Sequence, residues 1–241
     1  MDALVGDDAR LALTNGTLTV EGRLVAASNA TLYCGLEHDG SAVACVYKPV
    51  VGERPLWDFP TGTLGHRELA TYLTSEATGW DVVPPTVWRD GPFGPGMVQL
   101  WVDVDESVDP VALIRSDDDR LRRIAVLDAV VNNGDRKGGH LLPTADGRLF
   151  GIDHGVTFAV DDKLRTLLWQ WEGEPLTDEA VDVLGRLARE LGGGGPLRGA
   201  LAEHLTDEEV AATQGRVQRL LDSGVHPSPS NDWPPIPWPP F

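Results

Sequence analysis

No stretch of this chain is apolar enough to span a bilayer, cysteine is almost absent, and basic residues are scarce. Spanning requires about 20 consecutive apolar residues, and no run approaches that length. Cys34 and Cys45 are the only cysteines. They fall in adjacent predicted strands, where two buried free thiols are the expected state and a disulfide is the alternative. No zinc motif is present. Twenty Lys and Arg stand against 37 Asp and Glu, a formal charge of −17. No basic stretch exists to neutralise a row of phosphates, which argues against broad nucleic-acid binding. The same charge disfavours constitutive docking on an anionic membrane. The start, MDALVGDDAR, is acidic and lacks the apolar core of a secretory signal. A cytoplasmic location is the resulting expectation.

What is present is a chain of 241 residues, 41% hydrophobic and 24% charged. That composition is ordinary for a globular protein, and the length suits one bilobal unit or two packed lobes. Residues 10–50 alternate β-type runs with Gly, Asn and Asp. Leu18–Val20, Leu24–Ala26, Thr31–Cys34 and Ala42–Tyr47 read as antiparallel strands, with turns at Asn15-Gly16 and His38-Asp39-Gly40. After a Pro/Gly/Trp loop over 52–63, apolar spacing predicts a helix over 64–77 that carries Glu68. Thr86–Trp88 and Met97–Val102 read as further strands. Asp117-Asp118-Asp119 caps a predicted helix running to Val131, which Asn132-Asn133-Gly134 ends. A short hairpin is expected around Ala145-Asp146-Gly147. Helices follow over 177–191 and, from the capping box at Thr206, to about Asp222. The last residues, SPSNDWPPIPWPPF, are either a flexible end or a strap with Trp233, Trp238 and Phe241 docked in apolar slots. The expected fold is α+β and bilobal: a β-rich N-terminal lobe over 1–98, a connector over 99–108, a mainly helical lobe over 109–226 and a proline-rich tail over 227–241.

The most informative residues are Asp135-Arg136-Lys137-Gly138-Gly139-His140 and, shortly after, Ile152-Asp153-His154-Gly155. They place two acidic residues on closely spaced loops with a polar ligand type between them. Phosphoryl transfer needs that arrangement: one carboxylate positions or deprotonates the attacking hydroxyl, and a second holds Mg²⁺ against nucleotide phosphates. Lys48 ends a predicted strand, where a lysine aimed into a cleft neutralises phosphate, and Glu68 is an anion able to fix it. Each residue has a plainer alternative: a surface lysine, a solvated helix glutamate, a turn aspartate beside Arg136, a hydrogen-bonded histidine. Their joint order along the chain favours a kinase-like fold.

These segments resemble the phosphatidylinositol 3-/4-kinase superfamily, closest to its type II phosphatidylinositol 4-kinase branch and plant relatives, over roughly residues 25–175. Val46-Tyr47-Lys48-Pro49 is similar to the family's nucleotide-lysine strand. Arg67–Leu73 and Val83-Pro84-Pro85-Thr86 are similar to two following segments. Val98–Val102 resembles the hinge, Asn133-Gly134-Asp135-Arg136 the catalytic loop, and Ile152–Gly155 the metal-binding segment. The resemblance implies ATP with Mg²⁺ or Mn²⁺ and transfer of the γ-phosphoryl group. It makes Asp135 the catalytic aspartate, with Arg136 and Lys137 beside it, and Asp153 a metal ligand. Lys48 and Glu68 become the phosphate-holding pair. Ser28, Asn29 and Thr31 take the place of the phosphate loop, and Gln99, Leu100, Trp101 and Val102 meet adenine.

Two departures stand out. His140 occupies the position of a second metal-binding Asn, and imidazole favours softer metals than Mg²⁺, so Mn²⁺ preference or a single tightly held ion is implied. Lys137 replaces a residue that is often His or Gly; it either stabilises charge on the transferring phosphoryl oxygens or faces solvent. The segment after Asp153 has only Lys163 and Arg165 against Asp161, Asp162, Glu172 and Glu174. That balance favours a protein or small-molecule hydroxyl acceptor, with inositol lipid as the alternative. A nucleotide-binding pseudokinase and an AMP-transferring protein remain as other classes, and a metal-dependent hydrolase built from Asp135, His140 and Asp153 is the least favoured.

Overall fold

A computed structural model describes residues 7–24 and 29–241. It is an α+β molecule with an antiparallel sheet in the N-terminal half and helices in the C-terminal half. The described residues open with helix α1 (Asp7–Asn15), which sequence reading did not anticipate, then β1 (Thr17–Arg23), β2 (Leu32–His38) and β3 (Ser41–Pro49). Helix α2 (Leu64–Thr78) precedes β4 (Thr86–Gly91) and β5 (Gly94–Leu100). The sheet order is β1-β2-β3-β5-β4. Asn15-Gly16 therefore closes a helix rather than a hairpin. Of the predicted strand Leu24–Ala26, Leu24 lies just past β1, and residues 25–26 fall outside the described residues, as does Ser28.

Alternation along β3 decides which side chains reach the cleft. Cys45 pairs with Leu100 and Tyr47 with Val98, and these side chains pack with Leu13 of α1 in one apolar cluster. Val46 pairs with Gln99 and Lys48 with Met97, so Lys48 takes the opposite face from Tyr47. Cys34 and Cys45 are buried free thiols that oppose each other across β2 and β3.

The helical half holds α3 (Pro110–Ile114), α4 (Asp119–Val131), the hairpin β6 (Leu141–Pro143) and β7 (Leu149–Gly151), α5 (Asp178–Glu190), α6 (Pro196–Ala202) and α7 (Asp207–Ser223). Sequence periodicity misses α3 and α6, at 5 and 7 residues too short to show it. Each begins with Pro at its first helical position, the signal that marks their starts. Thr206 and Glu209 form the expected capping box of α7. Among the described residues no helix is long and apolar enough to cross a membrane.

Helix α2 joins the halves. Its Leu69, Ala70 and Tyr72 belong to the large apolar cluster of the helical half. Buried Arg67 reaches Glu209 of α7 at 2.5 Å and the Thr157 carbonyl at 2.7 Å. The buried hydroxyls of Thr71 and Thr74 donate to carbonyls four residues back, which satisfies them inside the core. By its packing, α2 belongs to the helical core as much as to the sheet.

At this junction His66 stacks on Trp88 at 3.8 Å, and its Nδ1 lies 3.1 Å from Nδ1 of His204. One proton fits between those atoms. Burial lowers the pKa of both rings, for His204 helped by His66, while Glu53 and Glu203 oppose the shift. The folded values lie below the unfolded value of about 6.5, so the unfolded chain binds more protons as pH falls through that region. The pair's contribution is full above pH ~6.5 and lost below it. The urea midpoint should drop between pH 8 and pH 5.5, and by less in a His66→Gln/His204→Gln chain. An equal drop in both would remove the pair as a cause.

Candidate active site

Lys48, Glu68 and Asp153 come from a strand, a helix and a loop that are distant in sequence, and they meet at one amine. Lys48 Nζ lies 2.8 Å from Glu68 Oε1 and 2.8 Å from Asp153 Oδ1. Burial alone would lower the lysine pKa, but the two carboxylates overcome it and raise the value well above the ordinary one. The carboxylates respond differently. The Lys48 charge holds Asp153 well below the usual carboxylate range against the effect of burial, with His140 assisting. Burial instead pushes Glu68 up to about 7, because Lys48 only partly offsets it. Asp153 is therefore the firmly ionised partner. Glu68 Oε2 is buried without a hydrogen-bond partner.

Asp153 sits at φ 63°, a left-handed backbone that strains most non-glycine residues and that aspartate and asparagine tolerate best. Strain of this kind persists where surrounding structure over-determines it, and it clusters at working sites. Ile152 N donates to the His140 carbonyl at 3.0 Å, and Gly151 N donates to the Val82 carbonyl at 2.7 Å, which fixes the approach to Asp153.

The Asp135 loop is tied from below. Asn132 ends α4 in left-handed backbone at φ 53°. Asn133 bridges two aspartates: its Nδ2 donates to Asp128 Oδ1 at 2.9 Å, and its Oδ1 accepts from Asp135 N at 2.9 Å. Asp135 is part-exposed, with Lys137 Nζ 3.0 Å from its Oδ2. That contact places Lys137 at the carboxylate rather than free in solvent.

Arg136 departs from expectation. Its guanidinium is fully enclosed, with Nε and Nη2 donating to Asp128 at 2.9 and 2.8 Å and Nη1 to the Ile152 carbonyl at 3.0 Å. Its Nη2 also lies 2.6 Å from buried His154 Nε2, where burial and then Arg136 hold the imidazole pKa well below its ordinary value. Enclosed in this way, Arg136 braces the two loops and does not face an acceptor. Asp128 and His154 were missed as site-building residues. An acidic residue inside the apolar face of α4, eight positions before an arginine, was the available signal.

His140 lies beside Asp153, Nε2 to Oδ2 at 3.4 Å. Burial lowers its pKa despite Asp153, so the ring is neutral near pH 7. Its Nδ1 faces the Lys137 amide donor at 3.4 Å. Nδ1 is then the acceptor, and Nε2 carries the proton toward Asp153. Ligating a cation through Nε2 requires the other tautomer, with the proton on Nδ1 and the contact with the Lys137 amide given up. Among the described residues no cluster of three or more His, Cys, Asp or Glu is arranged to hold a metal. A cation at Asp153 would need further ligands from outside this group of residues.

A cavity of about 220 Å³ adjoins the triad. Val46, Thr31, Leu142 and Ile152 line it with Lys48, Asp153 and Gln99–Val102. Gln99 is buried and donates from its amide to Thr86 Oγ1 at 2.9 Å. The amides of Leu100 and Trp101 already donate to the Pro85 and Ala44 carbonyls at 2.9 and 3.0 Å. These two amides are engaged within the sheet, while all four residues from Gln99 to Val102 line the cavity. Asn29 holds Arg54 N at 2.9 Å through its Oδ1. A larger cavity of about 410 Å³, lined by neither Asp135 nor Asp153, lies between α7, the end of α4 and residues 227–232.

Sequence reading also missed Glu53. Its Oε1 accepts from Gly65 N at 2.9 Å and caps α2, while its Oε2 is buried and unpaired.

No family model matches the chain. It is 28% identical over 143 residues to phosphatidylinositol 4-kinase gamma 4 of Oryza sativa subsp. japonica, across 50% of this chain and 25% of that protein. The crystal structure of the Helicobacter pylori proinflammatory kinase CtkA aligns over 88% of this chain and 94% of that one, with a TM-score of 0.46 and 10% identity. That likeness is too distant to bear on the site. The chain is 45% identical over 270 residues to protein Rv2133c of Mycobacterium tuberculosis (strain ATCC 25618 / H37Rv), across 98% of this chain and 96% of that protein. Identity at this level over almost the whole of both proteins establishes that the chain belongs to the Rv2133c family.

Proposed function

We propose that this protein is an ATP-dependent phosphotransferase of the phosphatidylinositol 3-/4-kinase-like type, which moves a γ-phosphoryl group to a hydroxyl of a protein or small molecule. The observation that carries this reading is Lys48 Nζ held at 2.8 Å from both Glu68 and Asp153. An amine clamped between a helix glutamate and a loop aspartate, at the mouth of a partly apolar cavity, suits nucleotide phosphates. The partial likeness to a plant phosphatidylinositol 4-kinase supports the same chemistry.

In this reading Lys48 neutralises phosphate charge, and Glu68 fixes its position. Asp153 supplies the carboxylate for Mg²⁺ or Mn²⁺, which would neutralise charge on the β- and γ-phosphates. Asp135 receives the proton of the attacking hydroxyl as the new O–P bond forms and ADP departs. Lys137 compensates the charge of Asp135 and faces the transferring group. His140 orients Asp153 in its present tautomer; with its proton moved to Nδ1 and the Lys137 amide contact given up, its Nε2 lone pair would be a second ligand, and Mn²⁺ would then support turnover better than Mg²⁺.

Incubation with γ-labelled ATP and either metal tests the reading. Lys48→Met should lower turnover about a hundredfold, and Asp135→Asn by at least as much. Wild-type turnover unchanged in either variant would defeat the assignment. ATP binding without turnover in either metal would favour a pseudokinase.

A further inference from the structure

The proline-rich residues 233–241 lie against Gly138 of the Asp135 loop and residues 165–169, held almost entirely through their carbonyls. Thr166 N donates to the Pro235 carbonyl at 3.0 Å, and Trp169 Nε1 donates to the same oxygen at 2.9 Å. Arg165 reaches the Pro234 and Ile236 carbonyls at 3.1 and 3.4 Å. Gly138 N, three residues after Asp135, donates to the Pro240 carbonyl at 2.9 Å. Two rings anchor the ends. Trp233 stacks on Trp57 with Lys163 Nζ 4.7 Å above it. Phe241 packs so closely on Gly138 that any Cβ there would collide with its ring.

Five of these nine residues are proline, which cannot donate from the backbone, and every hydrogen bond named above runs from a donor to a carbonyl of the segment. This is the chemistry by which extended proline-rich peptides are recognised, including an indole N–H on a proline carbonyl. The docking is shallow: Trp238 is 85% exposed and Ile236 45%. The segment's position matters too, because the groove is built from Gly138 of the Asp135 loop and from residues 165–169, which follow Asp153.

We propose that this groove is the binding site for the acceptor, an extended proline-bearing segment of a protein, and that residues 233–241 occupy it as an internal competitor. The acceptor role rests on the phosphotransferase reading above; the binding role does not.

The test uses the full chain, a Trp233→Ala/Phe241→Ala chain in which both ring anchors are removed, and a synthetic peptide of residues 231–241, which contains no hydroxyl side chain. Calorimetry should show the peptide binding the anchor-free chain about tenfold more tightly than the wild type. Adding Trp169→Phe, which removes the indole N–H, should weaken that binding severalfold. The same peptide bearing Trp238→Ser offers a hydroxyl at an exposed position two residues before Pro240. It should take label from γ-labelled ATP, faster with the anchor-free chain, and the unsubstituted peptide should compete. No peptide binding by a folded anchor-free chain would overturn the groove. Peptide binding with ATP turnover but neither labelling nor competition would overturn the acceptor role. Peptide binding without any ATP turnover would instead defeat the phosphotransferase reading and leave the groove standing.

Discussion

Replacing Asp153 with asparagine is expected to lower metal-dependent ATP turnover by about a thousandfold and to leave the fold intact. The carboxylate is the ionised partner of Lys48 and is held far below its ordinary pKa by that amine. Asparagine is nearly isosteric and tolerates the left-handed backbone found there, φ 63°. Alanine would add backbone strain and blur the result. Lys48 retains Glu68 at 2.8 Å in the variant, so no buried amine is left unpaired. What disappears is the negative charge itself, and removing one preorganised electrostatic group from a reacting centre typically costs about 10²–10³ in rate. Turnover of γ-labelled ATP, with circular dichroism as a folding control, measures the effect. Wild-type turnover in Asp153→Asn would mean that this carboxylate holds no metal needed for catalysis.

The largest effect on stability is expected at Arg136. Arg136→Met should destabilise the protein by about 3–5 kcal/mol, the usual consequence of leaving one member of a buried ion pair uncompensated. Both partners are fully enclosed, and the guanidinium meets both Asp128 oxygens. Asn133 would remain as the neutral donor to Asp128. Adding Asp128→Asn to Arg136→Met removes the stranded charge and should recover a substantial part of the loss. Urea unfolding of the two single variants and the double, with the m-value checked for constancy, gives the coupling energy directly. Additive effects would show that Asp128 and Arg136 do not act as a pair. Because Asn133 also holds Asp135 N, the Asp128→Asn chain tests whether the brace carries through to the proposed catalytic loop.

Much of the architecture was readable locally, where signals act over a few residues. Helix α2 was expected over 64–77 and spans Leu64–Thr78, and α4 ends at the Asn132 that marks it. The hairpin around Ala145-Asp146-Gly147 and the capping box of α7 formed as the sequence implied. The elements it did not reveal were short or owed their stability to packing. Helix α1 is held by Ala12 and Leu13 against the sheet, a burial that nine residues cannot announce.

The candidate site divides along the same line. By itself the sequence supplied Lys48, Glu68, Asp135 and Asp153, because a strand end, a helix face and two turns are local features carrying a recognisable order of residue types. Only the tertiary structure decided what each one touches. It drew Lys48 to two carboxylates and gave those carboxylates unlike pKa values, since burial and pair distance are properties of the assembled fold. It turned Arg136 inward onto Asp128 and engaged the Leu100 and Trp101 amides within the sheet. It laid the proline-rich residues across Gly138 and Thr166. Spacing along a chain fixes which residues share a turn or a face. Whether a charged side chain meets solvent, a counter-ion or a backbone carbonyl depends on segments a hundred residues away.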